Sequence, residues 1–208
     1  MSRADRFLKY SFDRVTAALG LVILSPLMLV LAICVKSKMG PGQVLFRQKR
    51  VGKDGCLFTI VKFRTMAAGN AGLNITVEGE DRIMPFGAKL RKYHLDEMPE
   101  LWNVLKGEMS FVGPRPDVPG YADVLSGPER EILRLRPGIT GPATLKYRDE
   151  EHLLAMQADP WKYNDEVIFP DKVRINRYYL DNYSFIGDLR IIFATITGRR
   201  ILYGGEMI

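Results

Sequence analysis

The segment VTAALGLVILSPLMLVLAICV, residues Val15–Val35, decides how this chain folds, because it is an apolar run of 21 residues without a charge. As an α-helix it would be about 31 Å long, close to the thickness of the hydrocarbon core of a bilayer. A cleavable signal peptide has a shorter apolar stretch and a small-residue cleavage site, whereas Lys36 and Lys38 follow this run directly. We therefore expect a membrane-embedded helix that stays in the mature protein.

Ser25-Pro26 lies in the middle of this run. Proline lacks a backbone N–H and clashes with the preceding turn, so the helix should bend or break there, and Ser25 can bond a carbonyl that the proline frees. Basic residues flank both ends, so the positive-inside rule gives no direction. Two topologies stay open: a kinked helix that crosses the bilayer, and a helix broken at Ser25-Pro26 that enters one leaflet and returns. A buried helix of a soluble core fits the run less well.

The rest of the chain has the composition of a globular domain. Of 208 residues, 47% are hydrophobic and 26% are charged, and the net charge is +6. Residues 1–64 carry 12 Lys or Arg against 3 Asp, a balance of +9, whereas the remainder carries 18 against 21 Asp or Glu. This basic half predicts a surface that meets phosphates. We divide the chain into a membrane-embedded helix, residues 1–38, and a domain at the membrane face, residues 39–208.

A β-hairpin and several short helices are predicted after the apolar run. Val44–Val51 and Phe58–Met66 are rich in β-branched and aromatic residues, and Gly52-Lys53-Asp54-Gly55 between them is a strong turn signal. Ala67–Asp81 is Gly-rich and predicts a loop, as does Ser110–Pro119 with its prolines. Helical patterns cover Pro85–Tyr93, Leu95–Lys106, Glu129–Arg136, Asp149–Gln157, Asp171–Tyr183 and Phe185–Ile201. The predicted fold class is therefore mixed α/β and rich in helix.

The last predicted helix, Phe185–Ile201, is amphipathic and ends in Arg199-Arg200, with Ser184 as its N-cap. Such a helix suits the membrane interface, and packing against the core explains the pattern equally well. Its apolar side is formed by Phe185, Leu189, Ile192 and Ile196.

The segment HLDEMP, residues 94–99, holds the most informative polar residues. Pro99 is tolerated only in the first turn of a helix, so that helix should begin near Asp96. Asp96 and Glu97 would then lie beside unpaired N–H groups at the positive end of the helix dipole, which favours ionised carboxylates. Ionised carboxylates are good nucleophiles and good ligands of Mg²⁺. From these residues alone, ordinary helix capping remains the stronger explanation.

Cationic residues around this pair favour a role with phosphates. Arg91 precedes Asp96 closely, and Arg115 is held between two prolines, so its guanidinium is pre-positioned as a phosphate fork. No GxxxxGKS/T loop and no GxGxxG loop is present in the sequence. Together these residues predict a phosphate-transfer site. A solvated charged hairpin is the alternative for each of the hairpin's own cations, Arg47, Lys49, Arg50, Lys62 and Arg64.

In order and spacing, the motifs resemble the bacterial sugar transferases, which are monotopic phosphoglycosyl transferases. The resemblance runs from about residue 5 to about residue 200, and the chain has little beyond it, as in the small minimal members. It implies the re-entrant topology, with both termini at the cytoplasmic face of the bacterial inner membrane. The motifs are Ser25-Pro26, VLFRQKRVGKDGCLFTIVKFRTM, RKYHLDEMPELWNVLKGEMSFVGPRP, RPGITG and YSFIGDLRIIFATI.

The resemblance also implies a two-step reaction. Asp96 attacks the β-phosphate of a UDP-sugar and UMP leaves; polyprenol phosphate, typically undecaprenyl phosphate, then takes the phospho-sugar. Glu97 would help Asp96 to hold Mg²⁺ and would assist the acceptor. The implied partners are the two substrates, membrane lipid and downstream glycosyltransferases, with no nucleic acid. The family's phosphate-binding cations correspond to Lys62, Arg64, Arg91 and Arg115.

One region departs from the family pattern. Many members have a Trp-Ala-Gln-like continuation where this chain has Pro142–Arg148, a region thought to help choose the sugar, so the sequence assigns no sugar. Trp102 is expected in the core. The competing hypotheses are a membrane-anchored module that binds nucleic acid or anionic lipid, and a scaffold that recruits other glycan enzymes. The hairpin lacks the spaced aromatic residues of a stacking surface, and neither hypothesis uses the Asp-Glu pair.

Overall fold

A computed structural model of the protein describes residues 1–67 and 83–208, so all of the predicted loop Ala67–Asp81 after Ala67 lies outside the described residues. The predicted helix-rich, mixed α/β class is confirmed. The helices are α1 (Arg3–Lys38), α2 (Pro85–Lys92), α3 (Glu100–Lys106), α4 (Pro142–Lys146), α5 (Glu150–Ala155), α6 (Pro160–Tyr163), α7 (Phe169–Asp181) and α8 (Phe185–Thr197). The strands are β1 (Leu45–Val51), β2 (Leu57–Phe63), β3 (Ser110–Val112), β4 (Gly138–Thr140), β5 (Leu202–Tyr203) and β6 (Glu206–Met207). Turns of 3₁₀-helix cover Lys53–Gly55, Leu95–Glu97, Ala122–Val124 and Gly127–Arg134, and a π-helical turn covers Asn164–Ile168.

Helix α1 contains the whole apolar run and continues through Pro26. The predicted break at Ser25-Pro26 is therefore not an interruption of helical structure. Pro26 has no N–H for the carbonyl of Val22, and the Ser25 hydroxyl donates to that oxygen instead, at 2.8 Å. This bond, which the sequence predicts for Ser25, replaces the lost backbone bond and lets the helix continue.

In the described part of the chain, α1 is the one helix long and apolar enough to cross a membrane. Large apolar side chains in its middle, such as Val22, Ile23 and Leu29, are exposed. Its path relative to a membrane stays a prediction.

Near its N-terminus, α1 is held to the domain by buried polar contacts. The Lys9 ammonium lies 2.6 Å from Asp188 Oδ2 and donates to the carbonyl of Val112 at 2.8 Å. One turn later, Asp13 accepts a hydrogen bond from the Ser110 hydroxyl at 2.7 Å. These contacts fix the N-terminal part of α1 against β3 and α8.

The C-terminal end of α1 is held by apolar packing and by Arg64. Val35 and Met39 pack against Phe63 of β2 and Leu90 of α2. Arg64 donates through both terminal nitrogens to the carbonyls of residues 39–41, at 2.9 to 3.0 Å. The helix therefore contacts the same domain at both ends.

Strands β1 and β2 form the predicted antiparallel hairpin, with Leu45 opposite Phe63 and Val51 opposite Leu57. Strands β3 and β4 pair in parallel, and β3 lies within Ser110–Pro119, which the sequence predicts as a loop. The close pairing depends on glycine, since a Cβ added to Gly138 would lie 2.2 Å from the backbone nitrogen of Gly113. Two strands of three residues carry too little pattern to be predicted.

Helix α8 begins at the predicted N-cap, where the Ser184 hydroxyl accepts a hydrogen bond from the N–H of Gly187 at 3.0 Å. It ends at Thr197, before Arg199-Arg200. Another prediction is wrong: Trp102 of α3 is 53% exposed and does not lie in the core. The face of α8 away from the domain is apolar and exposes Ile186, Leu189, Phe193 and Ile196.

Candidate active site

Asp96 and Glu97 lie in the 3₁₀ turn between α2 and α3. The preceding residue, His94, has a φ of 52°, and this left-handed conformation turns the chain sharply. Helix α3 begins at Glu100, because Pro99 occupies its N-cap position. The helical backbone nevertheless begins at Leu95, near the predicted start, as a 3₁₀ turn that carries the acidic pair and leads through Met98 and Pro99 into α3.

The Glu97 carboxylate is the centre of an ion-pair network. Its Oε1 lies 2.7 Å from the ammonium of Lys62 on β2 and 3.0 Å from a terminal nitrogen of Arg115, in the loop after β3. Burial raises the pKa of Glu97, but the charges of Arg115 and Lys62 outweigh burial and bring the pKa below its usual range. Glu97 is therefore ionised, and it aligns two of the predicted phosphate-binding cations.

The Asp96 carboxylate differs from its neighbour. The residue is 9% exposed, and no ion pair engages it within residues 1–67 and 83–208. Burial raises the pKa of Asp96, the charge of Glu97 raises it further, and the charges of Lys62 and Arg91 oppose this rise. The expected preference for the ionised form is thus strengthened at Glu97 and weakened at Asp96.

Glu100 is a third carboxylate in this network and is absent from the predicted site. Its Oε1 lies 3.0 Å from the Lys62 ammonium, and the residue is only 2% exposed. Burial, helped by the charge of Glu97, raises the pKa of Glu100 to about 7 against the opposing charges of Lys62 and Arg115. The one sequence signal was its spacing of three residues from Glu97, which places both on one side of a helical turn.

A cavity of about 20 Å³, the size of one water, lies beside this network and is lined by Lys62, Glu100 and Arg115. Arg50 borders it and donates to the carbonyl of Pro116 at 3.1 Å, which fixes the loop that carries Arg115. Arg50 Nε and Glu100 Oε1 are buried without an aligned hydrogen bond. The network therefore retains polar groups that are not fully satisfied.

The remaining two predicted cations are placed differently. Arg91 on α2 acts electrostatically on Asp96, and its guanidinium pairs with Glu151 of α5. Arg64 is 8% exposed and engages the carbonyls at the end of α1. The structure thus brings Lys62, Arg91 and Arg115 around the acidic pair and gives Arg64 contacts with the backbone instead.

The acidic pair is the place in the described chain where Mg²⁺ is expected. The described residues contain no group of three or more His, Cys, Asp or Glu side chains that could hold a metal ion. Mg²⁺ does not need such a group, because it keeps several waters and binds one or two carboxylates together with substrate phosphates. The Asp96 carboxylate, which has no ion pair with a described residue, fits this role, whereas Oε1 of Glu97 is already neutralised by two cations.

An acidic pair among cations, on a domain that holds an exposed apolar helix, is the arrangement of a membrane-associated transferase that handles phosphates. The chain belongs to the bacterial sugar transferase family, whose sequence profile matches residues 4–199. The resemblance found in the motifs is therefore confirmed.

Curated relatives agree with this membership. The chain is 36% identical to the UDP-N-acetylgalactosamine-undecaprenyl-phosphate N-acetylgalactosaminephosphotransferase of Aeromonas hydrophila, over 95% of this chain and 44% of the relative. It is 32% identical to the exopolysaccharide production protein ExoY of Sinorhizobium fredii, over 90% of this chain and 83% of the relative. It is 31% identical to the undecaprenyl-phosphate galactose phosphotransferase of Salmonella typhimurium, over 93% of this chain and 40% of the relative. The chain thus spans less than half of the first and third relatives and most of the second.

Proposed function

We propose that this protein transfers a sugar-1-phosphate from a UDP-sugar to polyprenol phosphate, such as undecaprenyl phosphate, and releases UMP. The observation that carries the proposal is the Asp96 carboxylate, which is buried and lies beside the Lys62–Glu97–Arg115 network without an ion pair of its own in the described chain. The names of two relatives, which state undecaprenyl phosphate and a UDP-sugar or galactose, support these substrates. The reaction would be the first membrane step of polysaccharide assembly, upstream of other glycosyltransferases.

The chemistry consists of two displacements at one phosphorus atom. An oxygen of Asp96 attacks the β-phosphorus of the UDP-sugar, the bond to the bridging oxygen breaks, and UMP leaves with the electron pair. A phosphate oxygen of polyprenol phosphate then attacks the same phosphorus. The bond to Asp96 breaks, and its electron pair restores the carboxylate. The product is polyprenol-diphosphate-sugar.

The cations around Asp96 supply the electrostatic part of catalysis. Lys62 and Arg115 are already aligned by Glu97, so they can bind the diphosphate with little reorganisation. Arg91 pairs with Glu151 and can exchange this carboxylate for a phosphate oxygen. When held by Asp96, Mg²⁺ would neutralise charge on the diphosphate.

In this proposal α1 is a re-entrant helix at the cytoplasmic face of the bacterial inner membrane, and the contacts of α1 support the re-entrant path. Lys9 and Arg64 attach its two ends to one domain, whereas a crossing helix would carry one end to the opposite side of the bilayer. Helix α8 lies against α1, with the rings of Phe12 and Phe185 in edge contact at 5.3 Å. The exposed apolar face of α8 would therefore rest at the interface beside α1.

The test is UMP release by the purified protein in detergent, with Mg²⁺, undecaprenyl phosphate and a panel of UDP-sugars that includes UDP-galactose and UDP-N-acetylgalactosamine. We expect release with at least one donor and none from Asp96→Asn. Without acceptor, mass spectrometry of the intact wild-type protein should show an added phospho-sugar. UMP release by Asp96→Asn at the rate of the wild type would refute the covalent step. If no UDP-sugar of the panel gives UMP release and the protein binds nucleic acid or anionic lipid in a salt-dependent way, the binding-module hypothesis would be favoured.

A further inference from the structure

A groove of about 750 Å³ runs between α1, the β-hairpin and α3. This α1 groove has the volume of sites that bind an apolar ligand. Its walls are mostly apolar and include Leu29 of α1, Val61 and Phe63 of β2, and Pro99 and Trp102 of α3. The groove is a second site on the molecule, because its lining residues differ from those of the small cavity beside Glu100.

The β-hairpin separates the α1 groove from the charged network. Side chains alternate along a strand, so Val61 and Phe63 face the groove while Lys62 between them faces Glu97. Asn103 fixes α3 to the same strand: its side-chain amide donates to the carbonyl of Thr59 at 2.7 Å, and its Oδ1 accepts from the N–H of Val61 at 3.2 Å. The groove is therefore preformed, with one wall shared by the two sites.

One end of the α1 groove reaches the segment that carries the acidic pair. Pro99 lines the groove, and it lies three residues after Asp96 and directly before Glu100. Leu95 and Met98, on either side of the acidic pair, pack in the cluster that contains Phe63. A molecule lying along the groove would thus end beside the turn that holds Asp96.

The groove opens toward apolar surface. Leu29 and Trp102 line it and are 63% and 53% exposed. Large apolar groups at the mouth of the groove favour an occupant that comes from hydrocarbon. One of them, Leu29, is on α1, which is long and apolar enough to cross a membrane.

We propose that the α1 groove binds the isoprenoid chain of the polyprenol phosphate acceptor, with the phosphate directed to Lys62, Arg91 and Arg115. This inference rests on the proposed function. The charges complement such an amphiphile, since the apolar chain meets an apolar groove and the anionic end meets the cationic side of the Asp96 turn.

The other end of the groove suits a bilayer phospholipid less well. Arg47 and Lys106 line that part, but the Lys106 ammonium already lies 2.6 Å from Glu108. Among the described residues, only the Arg47 guanidinium there remains without an ion pair. The cations at the Asp96 end are also paired with carboxylates, but three of them, Lys62, Arg91 and Arg115, act on the Asp96–Glu97 pair. A phosphate at that end would lie beside the carboxylate proposed to carry the phospho-sugar, and this proximity directs the phosphate of the occupant there.

The experiment compares two adjacent exposed residues of α1. Leu29→Trp narrows the groove, whereas Val30→Trp adds the same side chain at a neighbouring exposed position that does not line it. Val61→Phe narrows the groove from the opposite wall with a residue that strands accept. For each variant, the KM of UMP release is measured with undecaprenyl phosphate and with geranyl phosphate, whose chain is too short to fill the groove.

We expect Leu29→Trp and Val61→Phe to raise the KM for undecaprenyl phosphate about tenfold and to leave that for geranyl phosphate within about twofold. Val30→Trp should change neither constant. Exchange of label between UMP and the UDP-sugar requires no acceptor and should stay at the wild-type rate in all three variants. That exchange reports on the proposed function separately, so a chain-length effect can fail while the transferase activity stands.

Three outcomes would overturn the inference. They are an equal change of KM for both acceptors, no change for either, and the same effect from Val30→Trp as from Leu29→Trp. A bilayer phospholipid would be identified as the occupant instead by a loss of activity that is independent of chain length and that added phosphatidylglycerol relieves. In that case Arg47→Gln should abolish the relief by phosphatidylglycerol.

Discussion

Two clusters of charged side chains in this protein, one buried and one partly exposed to solvent, use the same chemical groups in opposite ways. We call them the anchor cluster, formed by Lys9, Asp13, Ser110, Tyr179 and Asp188, and the dyad cluster, formed by Lys62, Asp96, Glu97, Glu100 and Arg115. In the anchor cluster each carboxylate oxygen of Asp188 has its own donor, at 2.6 Å from Lys9 and 2.6 Å from the Tyr179 hydroxyl. Asp13 is equally satisfied, by the Ser110 hydroxyl and the N–H of Phe111.

The dyad cluster is incomplete by comparison. One oxygen of Glu97 serves both Lys62 and Arg115, Asp96 has no ion pair in the described chain, and Glu100 keeps an oxygen without an aligned donor. Saturated polar networks fix a structure, whereas groups left short of partners can accept a ligand. We therefore expect the dyad cluster to bind a ligand and the anchor cluster to stabilise the fold.

The largest effect is expected for Asp96→Asn in the dyad cluster. UMP release should fall by at least about a thousandfold, because an amide is not a nucleophile. The free energy of unfolding should stay the same or rise, since burial already disfavours the ionised carboxylate. Release assays and denaturant titrations of the same preparation check both outcomes, and a large loss of stability would remove the contrast with the anchor cluster.

The anchor cluster should respond in the opposite sense. Lys9→Met leaves Asp188 buried without its cation, so the free energy of unfolding should fall by about 3–5 kcal/mol. Activity per folded molecule should change far less than in Asp96→Asn. Denaturant titration measures the loss, and Lys36→Met, at an exposed position of the same helix, is the control. Equal effects of the two substitutions would contradict a specific role of Lys9.

A smaller loss is expected from Ser110→Ala. The substitution removes the hydroxyl that donates to Asp13 Oδ2 but keeps the N–H that donates to the other oxygen. The cost should be about 1–3 kcal/mol, the penalty of one buried acceptor left without a donor. A denaturation midpoint equal to that of the wild type would show that the hydrogen bond from Ser110 to Asp13 does not stabilise the anchor cluster.

The smallest effect, and one that depends on pH, is expected from Glu100→Gln. The pKa of Glu100 is about 7 in the folded protein against an ordinary value of 4.5, so the unfolded chain loses this proton first as pH rises. The stability contributed by this group is complete below about pH 4.5 and is lost as pH rises through about 7. The amide does not titrate, so the variant should gain stability relative to the wild type between about pH 5 and pH 8, on the order of 1–2 kcal/mol. Parallel pH profiles of the two proteins would contradict a buried, proton-retaining Glu100.

Local signals predicted much of this structure from the sequence. The hairpin, the N-cap Ser184 and the bond from Ser25 each depend on residues within a few positions, so pattern and side-chain chemistry suffice. The acidic pair and Arg115 were found in the same way, since Arg115 stands between two prolines. Their roles in catalysis stay predictions until Asp96 is tested.

Contacts between distant segments were not predictable. Lys9 and Asp188 are 179 positions apart, and the local sequence around either residue does not indicate its partner. The pairing of β3 with β4 joins two three-residue strands by the same kind of long-range contact. The place of Glu100 in the site could not be predicted, because it depends on Lys62 and Arg115. These residues come from the hairpin and from the loop after β3, which are distant in sequence or separated by a turn of chain.

The Lys9–Asp188 contact also has a consequence for biosynthesis. The ribosome adds about 5–20 residues per second, so the 179 positions between them correspond to roughly ten to forty seconds of translation. During that interval the apolar helix has emerged, while the carboxylate that neutralises its Lys9 does not yet exist. The nascent chain must therefore keep this charge solvated or paired with another anion, and this part of the fold is completed only when α8 has been synthesised.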